Sequence, residues 1–219
     1  MISKFKQIEE LFKEIDKVMH KKVNIYTIGG TVLLEQGLKA ATKDIDIVVA
    51  AKEELIELQR ALGQFGFSLK IPGKGYKHMN LNQIFQKGNH RIDLFEREVC
   101  GRFSLSEGMR QRARKMIGLK YITLFLCSNE DVFLFKTMTE RDGDLEDCES
   151  LVVPGVDWKI ILQELKNQIK ESKQDVWITW IGERFDLLEE RGLEMPIMNE
   201  VNKMRNKYLN DCEKKHKIK

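Results

Sequence analysis

From Lys4 to Val18 the apolar residues Phe5, Ile8, Leu11, Phe12, Ile15 and Val18 recur every three or four positions. That period predicts a helix with one buried stripe. Val23 to Ile28 is a β-branched and aromatic run, a buried strand, ended by Gly29-Gly30. Thr31 to Gln36 predicts a short helix stopped by Gly37. Asp44 to Val49 predicts a strand, Lys52 to Gln64 a helix with Leu55, Leu58 and Leu62 on one face, and Phe67 to Ile71 a strand. Gly73-Lys74-Gly75 opens a loop, Gly73 to His78, over which a mobile cover and a plain surface loop are both open readings. Lys77 to Gln86 and Arg91 to Glu96 predict a hairpin around Gly88-Asn89, Ser106 to Met116 a basic helix, and Tyr121 to Leu126 a further strand.

After residue 126 the pattern is helical throughout. Ser128, with Asp131 three residues on, reads as a helix N-cap. Pro154-Gly155 breaks the chain. Asp157 caps a helix with Trp158, Leu162, Leu165 and Ile169 on one side, and Asp175 a helix with Trp177, Ile181 and Leu188. A last helix begins near Pro196, with Ile197, Val201, Met204 and Tyr208 facing one way. The expected class is α+β: a mixed sheet flanked by helices over residues 1–126, then a helical region, 127–219, packed on it.

The totals narrow the partners. The chain has 219 residues, 42% hydrophobic and 32% charged, which suits a core of its own and excludes a disordered composition. No apolar run approaches the ~18 residues of a membrane span. Met1 to Lys22 is amphipathic and unlike a secretory signal. Cys100, Cys127, Cys148 and Cys212 have no paired spacing and read as free thiols of a cytoplasmic protein. His20, His78, His90 and His216 do not cluster with them, so a zinc site has no support. The net charge of +3 does not by itself argue for nucleic acid. Two basic stretches could meet RNA phosphates or be solvated faces: Arg102, Arg110, Arg112, Arg114 and Lys115, and the tail with Lys203, Arg205, Lys207, Lys214, Lys215, Lys217 and Lys219.

The chemistry concentrates in two stretches. Strand alternation puts Asp44 and Asp46 on one face while Ile45 and Ile47 point to the core. Side-by-side carboxylates repel, and a divalent cation between them reverses that; hard oxygen ligands suit Mg²⁺ or Mn²⁺. Asp93, between apolar Ile92 and Leu94, brings a third carboxylate if its strand neighbours that of Asp44, and three acids can hold two metal ions. Upstream, Gly29 and Gly30 allow backbone N–H groups close to phosphate, and Thr31 adds a hydroxyl. The bland readings are an exposed strand face and an ordinary strand-to-helix turn.

Ile28-Gly29-Gly30-Thr31, then Thr42-Lys43-Asp44-Ile45-Asp46-Ile47, resembles the G-[GS]…D-x-D signature of the nucleotidyltransferase superfamily, which has the DNA polymerase beta-like fold. Arg91-Ile92-Asp93-Leu94-Phe95 resembles the segment carrying that family's third metal-binding acid. The Gly-Gly-Thr form with a helical C-terminal half is most similar to small prokaryotic abortive-infection, toxin-type members. In those a later helix carries a Lys, then an Arg and an acid. Lys136, Arg141, Asp144 and Asp147 match, and Gly143 departs where relatives often have Lys. The resemblance covers residues 23–150. It implies metal-dependent transfer of a nucleoside monophosphate from an NTP, with release of pyrophosphate. Asp44, Asp46 and Asp93 would be catalytic and metal-binding. Gly29, Gly30, Thr31, Lys136, Arg141 and Asp144 would hold the nucleotide. Arg141, Asp144 and Asp147 could equally be ion pairs within a helix. RNA or tRNA, a protein or a small molecule could accept the nucleotide, and a toxin would have an antitoxin protein as partner. The alternatives are a catalytically inactive nucleotide-binding or partner-binding protein of the same fold, and a metal-dependent nuclease using the same acids. A nuclease has no need of a triphosphate cradle.

Overall fold

The computed structural model describes residues 1–71, 79–101 and 103–217. The Gly73–His78 loop, Arg102 and Lys219 lie outside the described residues.

The first helix, α1 (Phe5–Asp16), buries Ile8, Leu11, Phe12 and Ile15, the stripe its period requires. β1 (Val23–Ile28) follows, then α2 (Gly30–Glu35), β2 (Ile45–Val49) and α3 (Lys52–Gln64). β3 (Ser68–Lys70), β4 (Met79–Lys87) and β5 (His90–Cys100) form one side of the sheet. Lys87 pairs with His90, so Gly88-Asn89 is the two-residue turn of the β4–β5 hairpin. Next come β6 (Phe103–Ser104), α4 (Glu107–Arg112), β7 (Arg114–Gly118) and β8 (Ile122–Leu126). The sheet runs β3-β4-β5-β2-β1-β8-β7, with β6 on β5. It is mixed: β1 is parallel to β8 and β2 to β5, while β1 and β2 are antiparallel. The central strands read as near-continuous apolar runs because both faces are covered; Ile25, Ile45, Ile47, Val48, Leu94 and Leu124 are wholly buried.

The helical part comprises α5 (Asn129–Thr137), α6 (Asp142–Val152), α7 (Trp158–Ser172), α8 (Trp177–Glu190) and α9 (Met198–Lys217). α5 is its centre. Phe133 meets Trp158 edge-on and Phe185 at a tilt, both 5.7 Å away, while Phe135 meets Phe103 of β6 at 5.4 Å. Ser128 caps α5 by accepting the N–H of Asp131, and Asp157 caps α7 by accepting that of Lys159.

Two expectations fail. Ser106 to Met116 is not one helix. α4 ends at Arg112, Ala113 is extended at φ −64°, ψ 133°, and β7 pairs antiparallel with β8. Arg114 to Gly118 is too short to carry a period of its own, and the open edge of β8 decides its conformation. Arg110 and Arg114 therefore do not share a helical face. Asp175 does not cap α8 either; Val176 stands at the N-cap position with no side-chain cap bond.

Candidate functional site

The parallel pairing of β2 with β5 sets Asp46 abreast of Asp93, and the antiparallel pairing with β1 sets Asp46 abreast of Ile28. Asp44 lies just before β2, on the same side, because Arg91 reaches both it and Asp93. The Arg91 guanidinium grips Asp93 with two bonds of 2.6 Å and lies 4.0 Å from Asp44. Asp93 is buried at 2% exposure, while Asp44 and Asp46 are partly exposed.

Gly29 sits directly against this row. Its φ of +65° and ψ of −146° turn the chain from β1 into α2. A Cβ there would lie 3.3 Å from Asp46 Cγ and collide with Asp46 Oδ2. A Cβ on Gly30 would lie 2.6 Å from Thr42 Oγ1, the hydroxyl that donates to the Asp44 carbonyl at 3.0 Å. Thr31 is fully buried, and its Oγ1 has no hydrogen-bond partner among the described residues.

The carboxylates perturb one another. Burial raises the pKa of Asp46 well above the usual carboxylate range, and the charges of Asp44 and Asp93 raise it further. Burial raises Asp93 too, against the opposing pull of Arg91. Lys136 and Arg141 lie within electrostatic reach of Asp46 and act the other way. They come from the junction of α5 and α6, where Arg141 is the N-cap residue of α6.

These cations are themselves held. Lys136 Nζ lies 2.5 Å from Asp144 Oδ1 and 2.7 Å from Asp147 Oδ2. Arg141 donates to Asp144 at 2.8 Å. The pairing anticipated for Arg141 and Asp144 is thus present, and Lys136 joins it from the preceding helix. Burial disfavours the Lys136 charge, but the two carboxylates outweigh it and raise its pKa. Lys39, which no motif singles out, binds both oxygens of Asp147 at 2.7 and 2.9 Å.

A row of carboxylates beside a glycine turn, faced by a lysine and an arginine, can hold a polyphosphate with its cations. The oxygen-only donor set of Asp44 and Asp46 suits a hard divalent ion, and such an ion would reverse the mutual repulsion that raises Asp46. The strand of Asp93 does neighbour that of Asp46, which brings the acids to one side of the sheet. Among the described residues no group of three or more His, Cys, Asp or Glu stands at metal-holding distances. Arg91, two residues before Asp93 on the same face of β5, binds both of its oxygens.

A model of the family "Nucleotidyltransferase of unknown function (DUF6036)" matches residues 3–183. The chain belongs to this nucleotidyltransferase family. Solved structures with the same fold include ANT(2″)-Ia in complex with adenylyl-2″-tobramycin, 10% identical, with 77% of this chain and 98% of that chain covered and a TM-score of 0.50. A Thermotoga maritima protein assigned as a nucleotidyltransferase is 15% identical, covering 69% of this chain and 92% of that one, with a TM-score of 0.45. An antigenic nucleotidyltransferase-like protein from Paracoccidioides brasiliensis is 16% identical, covering 81% and 91%, with a TM-score of 0.43. No curated protein matches the sequence.

The basic stretch is largely neutralised: Arg110 pairs with Glu107, Arg114 with Glu35 at 2.7 Å, and Arg112 with Asp131 and Glu164 at 2.6 Å each. A cavity of about 440 Å³ opens beside Arg112, Arg114 and Ser128, but its arginines are the ones already compensated. All four cysteines are free, and burial pushes the Cys100 thiol up to about 12. Among the described residues no helix is long and apolar enough to cross a membrane.

Proposed function

We propose that the chain transfers a nucleoside monophosphate from an NTP to an acceptor hydroxyl. The acceptor oxygen bonds to the α-phosphorus, the bond from that phosphorus to the bridging oxygen of the β-phosphate breaks, and pyrophosphate leaves. The observation carrying this reading is the register that sets Asp46 beside Asp93 and over Gly29. Gly29 and Gly30 let the turn pack directly against Asp46 and Thr42, and the Thr31 hydroxyl, without a partner among the described residues, would donate to the triphosphate. Lys136 and Arg141 face the carboxylates and offset phosphate charge, with Asp144 holding both.

Asp44 and Asp46 are the residues that would hold Mg²⁺ or Mn²⁺, with Asp93 joining once Arg91 turns away. The ion would supply charge stabilisation of the triphosphate and lower the pKa of the acceptor hydroxyl. Asp93, buried and beside Asp46, would receive the acceptor proton.

The test is incubation with each α-labelled NTP, Mg²⁺ or Mn²⁺, and total RNA or cell protein. Label transfer is expected, and Asp44→Asn and Asp46→Asn abolish it. Undiminished transfer by those variants would sink the mechanism. The acceptor classes remain RNA or tRNA, protein, or a small molecule. The pairing of Arg110, Arg112 and Arg114 takes away the strongest sequence argument for RNA. A cytoplasmic toxin with a cognate antitoxin fits the toxin-type resemblance, and growth arrest on expression would support it. A second reading is a nucleotide-binding protein without transfer. The closed Arg91–Asp93 pair favours it, and NTP binding with no label transfer would select it.

A further inference from the structure

Lys39 lies on the segment joining α2 to β2, outside the motifs that carry the resemblance. Its ammonium binds both oxygens of Asp147, and Asp147 Oδ2 also binds Lys136. Lys136 binds Asp144, and Asp144 binds Arg141 and the Thr139 hydroxyl. The charges alternate along one line: Lys39, Asp147, Lys136, Asp144, Arg141. The side chains of the two end cations are 38% and 61% exposed, whereas none of the three middle groups exceeds 11%. The middle cation, like Arg141 at the end of the line, is in electrostatic reach of Asp46, and it is the one held between two buried carboxylates.

A lysine ammonium is a compact charge on a flexible stem, so in a buried setting its acceptors fix where it stands. Lys136 has two such acceptors. Asp144 is anchored on its far side by Arg141 and Thr139, and Asp147 by Lys39. A carboxylate shared between two ammonium groups rests between them; without one, it draws the other towards itself. Lys39 precedes Thr42 and Asp44 on the same connecting segment, so it ties the cation wall of α5 and α6 to the strand that carries the carboxylates.

We propose that Lys39 is a positioning residue: through Asp147 it fixes the Lys136 ammonium opposite Asp46, where the NTP triphosphate lies. The proposal rests on the reading of Lys136 as the phosphate-facing cation. Lys39 itself does not touch the nucleotide. Without it, Asp147 turns its whole charge on Lys136 and holds it back from the phosphates.

A double-mutant cycle on the full chain tests this, with mant-ATP and mant-GTP as probes in Mg²⁺ and thermal unfolding recorded for each variant. Lys39→Met weakens mant-nucleotide binding by about three- to tenfold, the coupling expected for residues in one charge network. Lys136→Met weakens it at least as much, and the double variant binds like Lys136→Met alone. Lys39→Arg, which keeps the charge on Asp147, restores most of the affinity. Wild-type affinity in Lys39→Met overturns the proposal. So does a double-variant loss equal to the product of the single losses, which marks a direct phosphate contact. A loss that merely tracks a lowered melting temperature, with no dependence on the Lys136 background, overturns it as well. If Lys136→Met binds like wild type, the phosphate role of Lys136 falls and this proposal with it. If Lys136→Met is weakened and Lys39→Met is not, only this proposal falls.

Discussion

Replacing Gly29 by alanine separates backbone strain from loss of the site. Gly29 has φ +65° and ψ −146°, a conformation almost confined to glycine, so a side chain there costs about 1–3 kcal/mol of stability. The new Cβ also meets Asp46 Oδ2 and stands 3.3 Å from its Cγ, so the Asp46 carboxylate must rotate off the position it shares with Asp93. Gly192 supplies the control. It has φ +94° and nothing within 4 Å of an added Cβ, so alanine there brings strain alone. The assay is urea unfolding, followed by tryptophan fluorescence, with and without Mg²⁺ and the preferred NTP. At a ligand concentration of about 100 times Kd, wild type gains about 2.7 kcal/mol. Gly192→Ala loses about 1–2 kcal/mol of basal stability and keeps that gain. Gly29→Ala has a similar basal loss and little or none of the gain. Full nucleotide-dependent stabilisation of Gly29→Ala would refute the reasoning, because it would mean that neither the turn nor the Asp46 position matters to the ligand.

Three further outcomes follow from the charge pairs. The bond from Arg60, with the backbone N–H groups of His20 and Lys21 assisting, outweighs burial and pulls Glu57 down from 4.5 to about 2. A depressed folded pKa gives stability that is present above the unfolded value and is lost as pH falls through the folded one. Between about pH 5 and pH 2, wild type should therefore lose up to about 3 kcal/mol more than Glu57→Gln in urea titrations; parallel curves would refute this. Arg112→Met strands Asp131 and Glu164, both at most 2% exposed, and should cost about 3–5 kcal/mol of unfolding free energy. Asp131→Asn and Glu164→Gln added to it should restore most of the loss. Arg91→Ala frees both oxygens of Asp93, so Mn²⁺ titration followed by electron paramagnetic resonance should show tighter binding than in wild type; equal binding would show that Arg91 does not compete with the ion.

The elements whose interactions are local can be read along the chain. Phe5 to Ile15 carries its own helical period, Gly88-Asn89 its own hairpin turn, and Ser128 and Asp157 their own caps. Asp44-Ile45-Asp46 carries its own alternation, because side chains along a strand change face at every residue. The glycine turn and the acids were legible for the same reason: each is a short stretch with one backbone solution. What those stretches meet depends on how the sheet and helices pack. β7 is a strand because β8 offers an edge, against a local pattern that reads as helix. Asp93 stands beside Asp46 because β5 runs parallel to β2, and Arg91 on that same strand then takes its oxygens. Lys39 and Asp147 lie 108 residues apart, and Arg112 and Glu164 lie 52 apart. A charge acts through space and leaves no period along the chain, so its partner is fixed only when the sheet and the helices of the C-terminal part have closed on each other.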